Sequence, residues 1–346
     1  MINIELIQRI SALKILHRNW LEALNQVYAL LLTISPGEVI CITGPSRAGK
    51  TRLIDELQKL IEGDNDYSKT GLLPVVKTEA VNCSTNGSFS TKSFTKRLLR
   101  DIKHPMHGNE DFASIAKQDR LSEDVYRQAL EIALKARGVK YLFIDEAQHA
   151  RYVGKGSQGA YAVMDSWKCL AQVSGVVLII VGAYPILDIL RNSPHMIGRK
   201  YQVSLGRYQL NREDLIEFTA ILNQYGEVSG QSKILLKNIV LLYKGSLGCI
   251  GLVRAWLLRA FALASIRNTQ LTKEILLETQ QTLDDLSSMA EEIQHGEMLL
   301  ETMDDEVSKE GVSVSPPSKK SKPKSKPFQR KAERIEDGVR LKGKKK

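Results

Sequence analysis

One octapeptide in the sequence has the residue types needed to hold phosphate groups. It fits the pattern GxxxxGK[ST] and consists of Gly44, Pro45, Ser46, Arg47, Ala48, Gly49, Lys50 and Thr51. Its glycines allow backbone N–H groups to wrap phosphate oxygens, and the helix predicted to follow directs the positive end of its dipole at the same charge. Lys50 is expected at the terminal phosphates and the Thr51 hydroxyl on Mg²⁺. Arg52 follows and is counted with the nucleotide contacts.

A second feature is the pair of acids, Asp145 and Glu146, that ends the apolar run 141–144. Carboxylates at the carboxyl end of a parallel strand face the crevice where phosphates bind. Asp145 is expected to order the Mg²⁺ shell, and Glu146 to polarise water for attack on the γ-phosphate of ATP. Alone, the pair would also fit an ordinary turn with an Asp cap. With the phosphate loop upstream it predicts an ATPase, and a Glu beside the Asp favours hydrolysis over a small-molecule kinase.

The segments that must position these motifs alternate between short apolar runs and amphipathic stretches. Strands are predicted at 39–43, 74–81, 141–145, 176–182 and 201–205, with helices at 50–61, 91–102, 122–137 and about 160–174. This alternation indicates a mostly parallel sheet covered by helices on both faces. After residue 210 the strand signals stop, and helices are predicted near 212–225, 231–244, 249–266 and 273–290.

Four parts follow from this pattern. They are an N-terminal helical segment (1–35), an α/β nucleotide-binding subdomain (36–210), a helical lid subdomain (211–290), and an acidic linker with a disordered basic tail (291–346). A helical lid after the last strand is typical of AAA+ ATPases, so the predicted fold class is α/β, an AAA+ P-loop NTPase. Beyond residue 311 the Pro, Ser and Lys content leaves too little apolar surface to offset the entropy of ordering.

Charge is distributed unevenly along the chain. Residues 311–346 carry 13 Lys and Arg against 3 acids, residues 278–310 carry 11 acids against one Lys, and the first 277 residues are again net +10. A basic excess on a folded body favours a polyanionic partner such as nucleic acid, although it also fits a merely soluble surface.

Composition excludes several classes of protein. With 43% hydrophobic and 25% charged residues the chain resembles a soluble globular protein, and no 18-residue apolar run offers a membrane span. The N-terminus lacks the features of a secretory signal, so a cytoplasmic location and no membrane partner are expected. Four widely spaced cysteines argue against a zinc site or a disulfide framework.

Four stretches together resemble one family, the TniB/TnsC family of AAA+ transposition regulators, which includes those of CRISPR-associated transposons. They are GEVICITGPSRAGKTRLIDEL, VVKTEAVNCSTNGSFSTKSFTKRLL, YLFIDEAQHA and VVLIIVGAYPIL. The resemblance covers roughly residues 15 to 265. It implies a bacterial ATP-dependent protein that assembles as rings or filaments on duplex DNA and links a target-selection protein to a transposase.

The chain departs from this pattern at the end of the fourth strand. Such ATPases usually place a polar residue there to position the attacking water, whereas this chain has Ala183. Tyr184, or Gln148 and His149 after the acids, are candidates to replace it. Without such a replacement, hydrolysis is expected to be slow and regulatory.

Arginines are expected to complete the site in an oligomer, because a cation from a neighbouring subunit stabilises charge that builds on the γ-phosphate. Arg191, Arg199 and Arg207 lie between the fourth and fifth strands or just beyond, and Arg199 is preferred because it directly precedes a strand. Arg254, near the start of a lid helix, is a candidate nucleotide sensor. A solvated basic surface is the alternative for each of them.

The best candidate for DNA contact is the predicted helix 91–102. Helical spacing turns Phe94 toward the core and leaves an outer face of polar residues, namely Lys92, Thr95, Lys96 and Arg100. Lysine and threonine near a helix N-terminus can hold phosphates without reading bases. An ordinary solvated helix face has the same composition.

The sequence therefore predicts an ATP- and Mg²⁺-dependent, DNA-binding AAA+ regulator of transposition that oligomerises on duplex DNA. Two alternatives stay open. One is a P-loop ATPase or kinase unrelated to DNA, and the other is an ATP-dependent scaffold that hardly hydrolyses ATP. Oligomer number, filament geometry, the targeting partner, RNA-guided or protein-guided targeting and the ligand of the basic tail are not determined by the sequence.

Overall fold

Five parallel strands form the centre of the molecule in a computed structural model that describes residues 4–63, 65, 67–82, 87–107, 121–154, 156–191 and 200–309. The strands are β1 (Val39–Thr43), β2 (Val75–Glu79), β3 (Tyr141–Asp145), β4 (Val177–Gly182) and β5 (Lys200–Ser204). They pair in the order β2-β3-β4-β1-β5, and every pairing is parallel. The predicted parallel sheet is thus confirmed.

Helices surround and follow this sheet. Those of the first 191 residues are α1 (Ile4–Ala12), α2 (Arg18–Thr33), α3 (Lys50–Glu62), α4 (Thr91–Asp101), α5 (Glu123–Ala136), α6 (Gly156–Ser174) and α7 (Ile186–Arg191). Those after β5 are α8 (Arg212–Ser229), α9 (Ser232–Lys237), α10 (Ile239–Ser246), α11 (Ile250–Ile266), α12 (Lys273–Thr279) and α13 (Leu283–Lys309). Two short 3₁₀ segments, Tyr67–Lys69 and Ala147–Tyr152, complete the described elements.

The sheet is buried on both faces, which explains why β1 is apolar at four of its five positions. Successive side chains of a strand point to opposite faces. Val39 and Cys41 belong to the core under α4, α5 and α6, whereas Ile40 and Ile42 belong to the core under α2 and α3. β1 lies between β4 and β5, so a strand flanks its carboxyl end on each side.

The helices after β5 enclose a core of their own, centred on Phe218, Trp256 and Phe261. Ile10 of α1 is buried in that core, while Trp20 of α2 is buried in the core next to the sheet. The N-terminal segment therefore contacts both parts of the molecule. Among the described helices none is long and apolar enough to cross a membrane alone; Ile239–Ser246 and Ile250–Ile266 meet that test only together, with a bend of 116° between them.

The structure differs from the sequence prediction in the acidic segment. Residues 291–309, predicted as linker, continue α13 as a helix. Leu286, Met289, Ile293 and Leu300, spaced by three, four and seven residues, are buried or partly buried on one face of a helix, a pattern that the charge count concealed. Backbone contacts divide the chain into units Met1–Thr302 and Met303–Lys346, and the site lies in the first. The predicted basic tail lies outside the described residues.

Candidate functional site

The phosphate-loop motif connects the end of β1 to the start of α3. Gly49 precedes the helix with φ 101°, a left-handed conformation that glycine adopts without steric cost. Arg47 also has a positive φ of 62°. A backbone that turns in this way at a helix N-terminus gathers N–H groups around one concave site, where an anion is stabilised.

Lys50 is held at the mouth of this loop. Its side chain is buried, and its Nζ donates hydrogen bonds to the carbonyl oxygens of Gly44 (3.0 Å) and Pro45 (2.8 Å). Burial lowers its pKa, and the nearby carboxylates of Glu146 and Asp145 oppose that shift. An ammonium hydrogen-bonded to backbone carbonyls is suited to exchange them for the oxygens of an anionic ligand.

A hydrogen bond joins the loop to the acidic end of β3. Thr51 Oγ1 donates to Asp145 Oδ2 at 2.8 Å, and the backbone N–H of Glu146 donates to Asp145 Oδ1 at 2.9 Å. Asp145 is 1% exposed, and burial raises its pKa while these two hydrogen bonds oppose the rise. Glu146 follows with φ 54°, so that the chain turns directly after the strand.

The donor set at this point fits a magnesium ion. Mg²⁺ prefers hard oxygen ligands, commonly one or two carboxylates and hydroxyls together with phosphate oxygens. Asp145 supplies a buried carboxylate, and Thr51 supplies an exposed hydroxyl hydrogen-bonded to it. These two residues would hold the ion, as the sequence predicts.

The end of β4 lies beside the acidic pair. Ala183 offers no polar side chain at this point, and a residue from outside the strand, Gln148, supplies one. Gln148 Oε1 accepts a hydrogen bond from the backbone N–H of Ala183 (3.0 Å), and its Nε2 donates to Glu146 Oε2 (2.5 Å). His149 Nε2 is 4.0 Å from the same carboxylate oxygen. Tyr184 is 2% exposed and packs against Gly296 of α13.

A cavity of about 380 Å³ opens next to the loop. Its walls include loop residues 47–52, Glu146, and residues from both ends of the described chain: Leu13, Ile15, His17, Trp20, Tyr225, Ile250, Gly251 and Arg254. The volume falls within the usual range of small-molecule sites. The loop residues, Glu146 and Arg254 were predicted as site residues, whereas the other wall residues were not, because most of them look like ordinary core packing.

Two neutral rings form one wall of this cavity. Burial lowers the pKa of His17 to about 4, with the charge of Arg52 adding to the effect, so its imidazole is neutral at pH 7. Trp20 is buried with Arg52 over its ring at 5.3 Å, and the indole carbon Cδ1 lies 3.5 Å from where a Cβ on Gly49 would be. A planar, uncharged group would pack against such a wall.

The first turn of α11 and the phosphate loop meet backbone to backbone. A Cβ on Gly251 would lie 1.9 Å from the carbonyl oxygen of Arg47, so only glycine allows this approach. One turn later, Arg254 is exposed at the cavity, and its Nη2 donates a hydrogen bond to the carbonyl oxygen of Ser11. The structure therefore places Arg254 beside the phosphate loop, where the sequence analysis expects a nucleotide sensor.

The three arginines weighed for action between subunits have different positions. Arg191 ends α7 with an exposed side chain, and Arg199 lies outside the described residues. Arg207 donates two hydrogen bonds to the carboxylate of Glu297 on α13, at 2.8 and 2.9 Å, and a third to the carbonyl oxygen of Leu247. The hydrogen bonds to Glu297 raise the pKa of Arg207 above its ordinary value.

The candidate DNA-binding helix is α4. Lys92 and Lys96 place their ammonium groups 5.9 and 5.8 Å from the centroid of the Tyr126 ring on α5, and Arg100 is exposed. Placing Thr95 on the outer face is wrong, since it is 7% exposed and donates to the carbonyl oxygen of Thr91. The reason is a wide buried face, because position 95 is in line with the buried positions 99 and 102.

Comparison with known proteins supports this architecture. Residues 34–190 match a family model described as an AAA domain. No curated protein matches the sequence. Similar solved structures include a Walker-type ATPase of Pyrococcus abyssi (TM-score 0.50, 15% identity, 83% of this chain and 76% of that one).

Two further similar structures belong to proteins named ORC. They are the ORC2 protein of Aeropyrum pernix in its ADP form (TM-score 0.52, 17% identity, 75% of this chain and 66% of that one) and Drosophila ORC bound to DNA (TM-score 0.52, 13% identity, 80% and 64%). The chain spans just under two thirds of the length of these two. The sheet order, the loop and the AAA-domain match agree, and the chain therefore has the AAA+ P-loop NTPase fold.

Proposed function

We propose that the chain binds ATP with Mg²⁺ and hydrolyses it at the site formed by Lys50, Thr51, Asp145 and Glu146. The observation that carries this proposal is the 2.8 Å hydrogen bond from Thr51 to Asp145, which joins two motifs 94 residues apart at the mouth of one loop. The similar structure of A. pernix ORC2 was solved with ADP, which supports a nucleotide as the ligand.

The reaction assigns each group a task. The oxygen of a water molecule forms a bond to the γ-phosphorus while the bond to the β–γ bridging oxygen breaks, and that oxygen keeps the electron pair and leaves with ADP. Glu146 accepts the proton of the water, and Lys50 stabilises charge on the terminal phosphate. Mg²⁺, when bound, neutralises phosphate charge. The neutral wall formed by His17 and Trp20 would take the base.

The finer part of the proposal concerns DNA. The chain is a regulator of transposition that assembles on duplex DNA with nucleotide between copies and connects a target-selection protein to a transposase. The sequence resemblance to the TniB/TnsC family supports this, as does the similar structure of ORC bound to DNA. Lys92, Lys96 and Arg100 are proposed to contact phosphates, Arg199 to act on the nucleotide of a neighbouring copy, and Arg254 to sense nucleotide.

Sedimentation with duplex DNA tests both levels of the proposal. The wild-type chain should form large complexes with DNA and ATP, fewer with ADP, and none when Lys50 is replaced by Ala. A matched control is Lys59→Ala on the same helix, since Lys59 is exposed and pairs with Glu56 at 3.4 Å, away from the phosphate loop. Assembly that ignores nucleotide, or that Lys50→Ala leaves intact, would contradict the proposal.

A scaffold that scarcely hydrolyses ATP is the second candidate, favoured by the apolar residue at position 183. It would assemble on DNA with ATP yet release almost no phosphate, and Glu146→Gln would hardly change the lifetime of the complex. Phosphate release measured on the assembled chain decides between the two. Turnover that proceeds equally without DNA would instead indicate an ATPase unrelated to DNA.

A further inference from the structure

The side chain of Gln148 connects the ends of two neighbouring strands at the proposed site. We infer that Gln148 is a positioning residue for hydrolysis, which holds the carboxylate of Glu146 in place and supplies the polar group that Ala183 does not. This inference rests on the proposed ATPase function. It begins from two hydrogen bonds made by one amide, to Glu146 Oε2 and from the Ala183 N–H.

The end of β4 is built around this amide. A Cβ on Gly182 would lie 2.7 Å from Gln148 Oε1, whereas the next nearest atoms, the backbone nitrogen of Gln148 and Cδ1 of Ile186, are at 3.4 and 3.5 Å. Gly182 has no left-handed backbone that would itself require glycine. The missing side chain at 182 thus leaves room for the amide oxygen in particular.

The Ala183 N–H is a donor that the sheet does not use. The parallel register of β4 with β1 ends at Gly182, and that with β3 ends at Ile180. Buried backbone donors beyond the last ladder pair need another acceptor, and Gln148 Oε1 is that acceptor. Its amide plane is therefore fixed from one side by the backbone of β4, and the opposite end of the amide is directed at Glu146.

Glutamine suits this task chemically. Its amide carries both a donor and an acceptor, so it can hold a carboxylate and a backbone N–H at once and remain uncharged. A Lys or Arg would pair with Glu146 and weaken it as a proton acceptor, and His149 is too far away for a hydrogen bond, at 4.0 Å. Asparagine is one methylene shorter and cannot reach both partners.

Orientation matters here because Glu146 is otherwise poorly restrained. It is half-buried, and it sits at a turn with φ 54° directly after β3. A base that must meet one particular water loses rate when it can rotate away, and small misplacements cost about 100-fold in extreme cases. The orienting role resembles that of the third member of a catalytic triad, which acts on the base rather than on substrate.

Two variants remove this arrangement in different ways. Gln148→Met keeps length and removes both hydrogen bonds, whereas Gly182→Ala displaces the amide from the neighbouring strand. Each should lower the single-turnover rate of phosphate release about 10- to 100-fold, with nucleotide affinity within about 2-fold of wild type. Gln58→Met is the matched control, since Gln58 also donates to a carboxylate, that of Glu62 at 2.9 Å, and should leave the rate unchanged.

A double variant separates positioning from a structural role. If Gln148 acts through Glu146, adding Gln148→Met to Glu146→Gln should lower the rate no further. A full additional loss, an unchanged rate in Gln148→Met, or a faster rate would each overturn the inference. If wild type binds nucleotide but releases no phosphate, the proposed hydrolysis fails first and this role fails with it, whereas an active wild type with insensitive variants refutes only the role of Gln148.

Discussion

Replacing Glu297 with glutamine should loosen the attachment of α13 to the rest of the molecule. The Glu297 carboxylate accepts two hydrogen bonds from Arg207, at 2.8 and 2.9 Å, and one from Gln209 at 3.1 Å. The apolar contribution is small, because only three hydrophobic side chains are buried among those described on this helix. The ion pair is thus a large share of what holds α13.

The size of the effect follows from the exposure of the pair. The side chains of Arg207 and Glu297 are 21% and 24% exposed, which places them between surface pairs, worth about 0.2–1 kcal/mol, and shielded hydrogen bonds to charged groups, worth about 1.5–3 kcal/mol. Glutamine keeps one oxygen acceptor but loses the charge and the second contact. We expect a loss of about 1.5–2 kcal/mol, which makes opening of α13 roughly 10- to 30-fold more frequent.

Hydrogen exchange of the backbone amides of residues 283–302 measures this opening directly, since local opening is separable from global unfolding. The control is Glu291→Gln, an exposed residue on the same helix. Exchange in Glu297→Gln should be faster by the stated factor in α13 and unchanged in the strands. Equal exchange in the two variants would refute the argument that the ion pair holds the helix.

Three further perturbations have defined outcomes. Asp214 accepts hydrogen bonds from Arg18 and from the backbone N–H of Gln209, and although burial opposes them, they lower its pKa. As pH falls, the unfolded chain therefore takes up the proton first. The stabilisation is present at neutral pH and is lost as pH falls from the ordinary pKa of an aspartate to the lower pKa in the folded chain. Asp214→Asn should lower the free energy of unfolding by about 1–2 kcal/mol at pH 7 and make stability depend less on pH in acid, and a pH dependence identical to that of wild type would contradict this. Thr51→Val removes the hydrogen bond to the buried Asp145 and should lower stability by about 1–3 kcal/mol in thermal melts. It should also weaken the magnesium dependence of nucleotide binding, and calorimetric titrations with the wild-type magnesium dependence would exclude Thr51 as a ligand. Gly44→Ala places a Cβ 2.4 Å from the carbonyl oxygen of Leu205 and should lower stability by about 1–3 kcal/mol in thermal melts, whereas a wild-type melting curve would show that the backbone yields.

The elements that could be predicted from the sequence are those with local signals. The strands of the sheet are short, mostly apolar runs. The phosphate loop directly follows β1 in the sequence, so this motif could be assigned to the end of that strand. The meeting of Thr51 with Asp145 could also be expected, since the carboxyl ends of all strands of a parallel sheet lie at one edge, although β4 separates β1 from β3.

Features that depend on distant packing could not be predicted in this way. In residues 291–302, Ile293 and Leu299 share a buried cluster with Cys249 and Leu252, and Glu297 pairs with Arg207; these partners are distant in the sequence. Thr95 is a polar residue of the kind usually found at exposed positions, yet neighbouring structure covers it. The sequence names Gln148 as one of three candidates to replace the polar group missing at Ala183, but the choice among them needs the distance between the ends of β3 and β4, which no local pattern provides.

The contact between Gly251 and the carbonyl of Arg47 makes the phosphate loop and α11 move together. With no side chain between them to absorb a displacement, any shift of the loop by a fraction of an ångström must push the first turn of the helix. The helix spans 17 residues, about 25 Å, so it works as a rigid lever whose far end amplifies that shift. A ligand in the cavity that displaced the loop would therefore also displace the far end of α11, without any segment having to unfold or any new bond having to form.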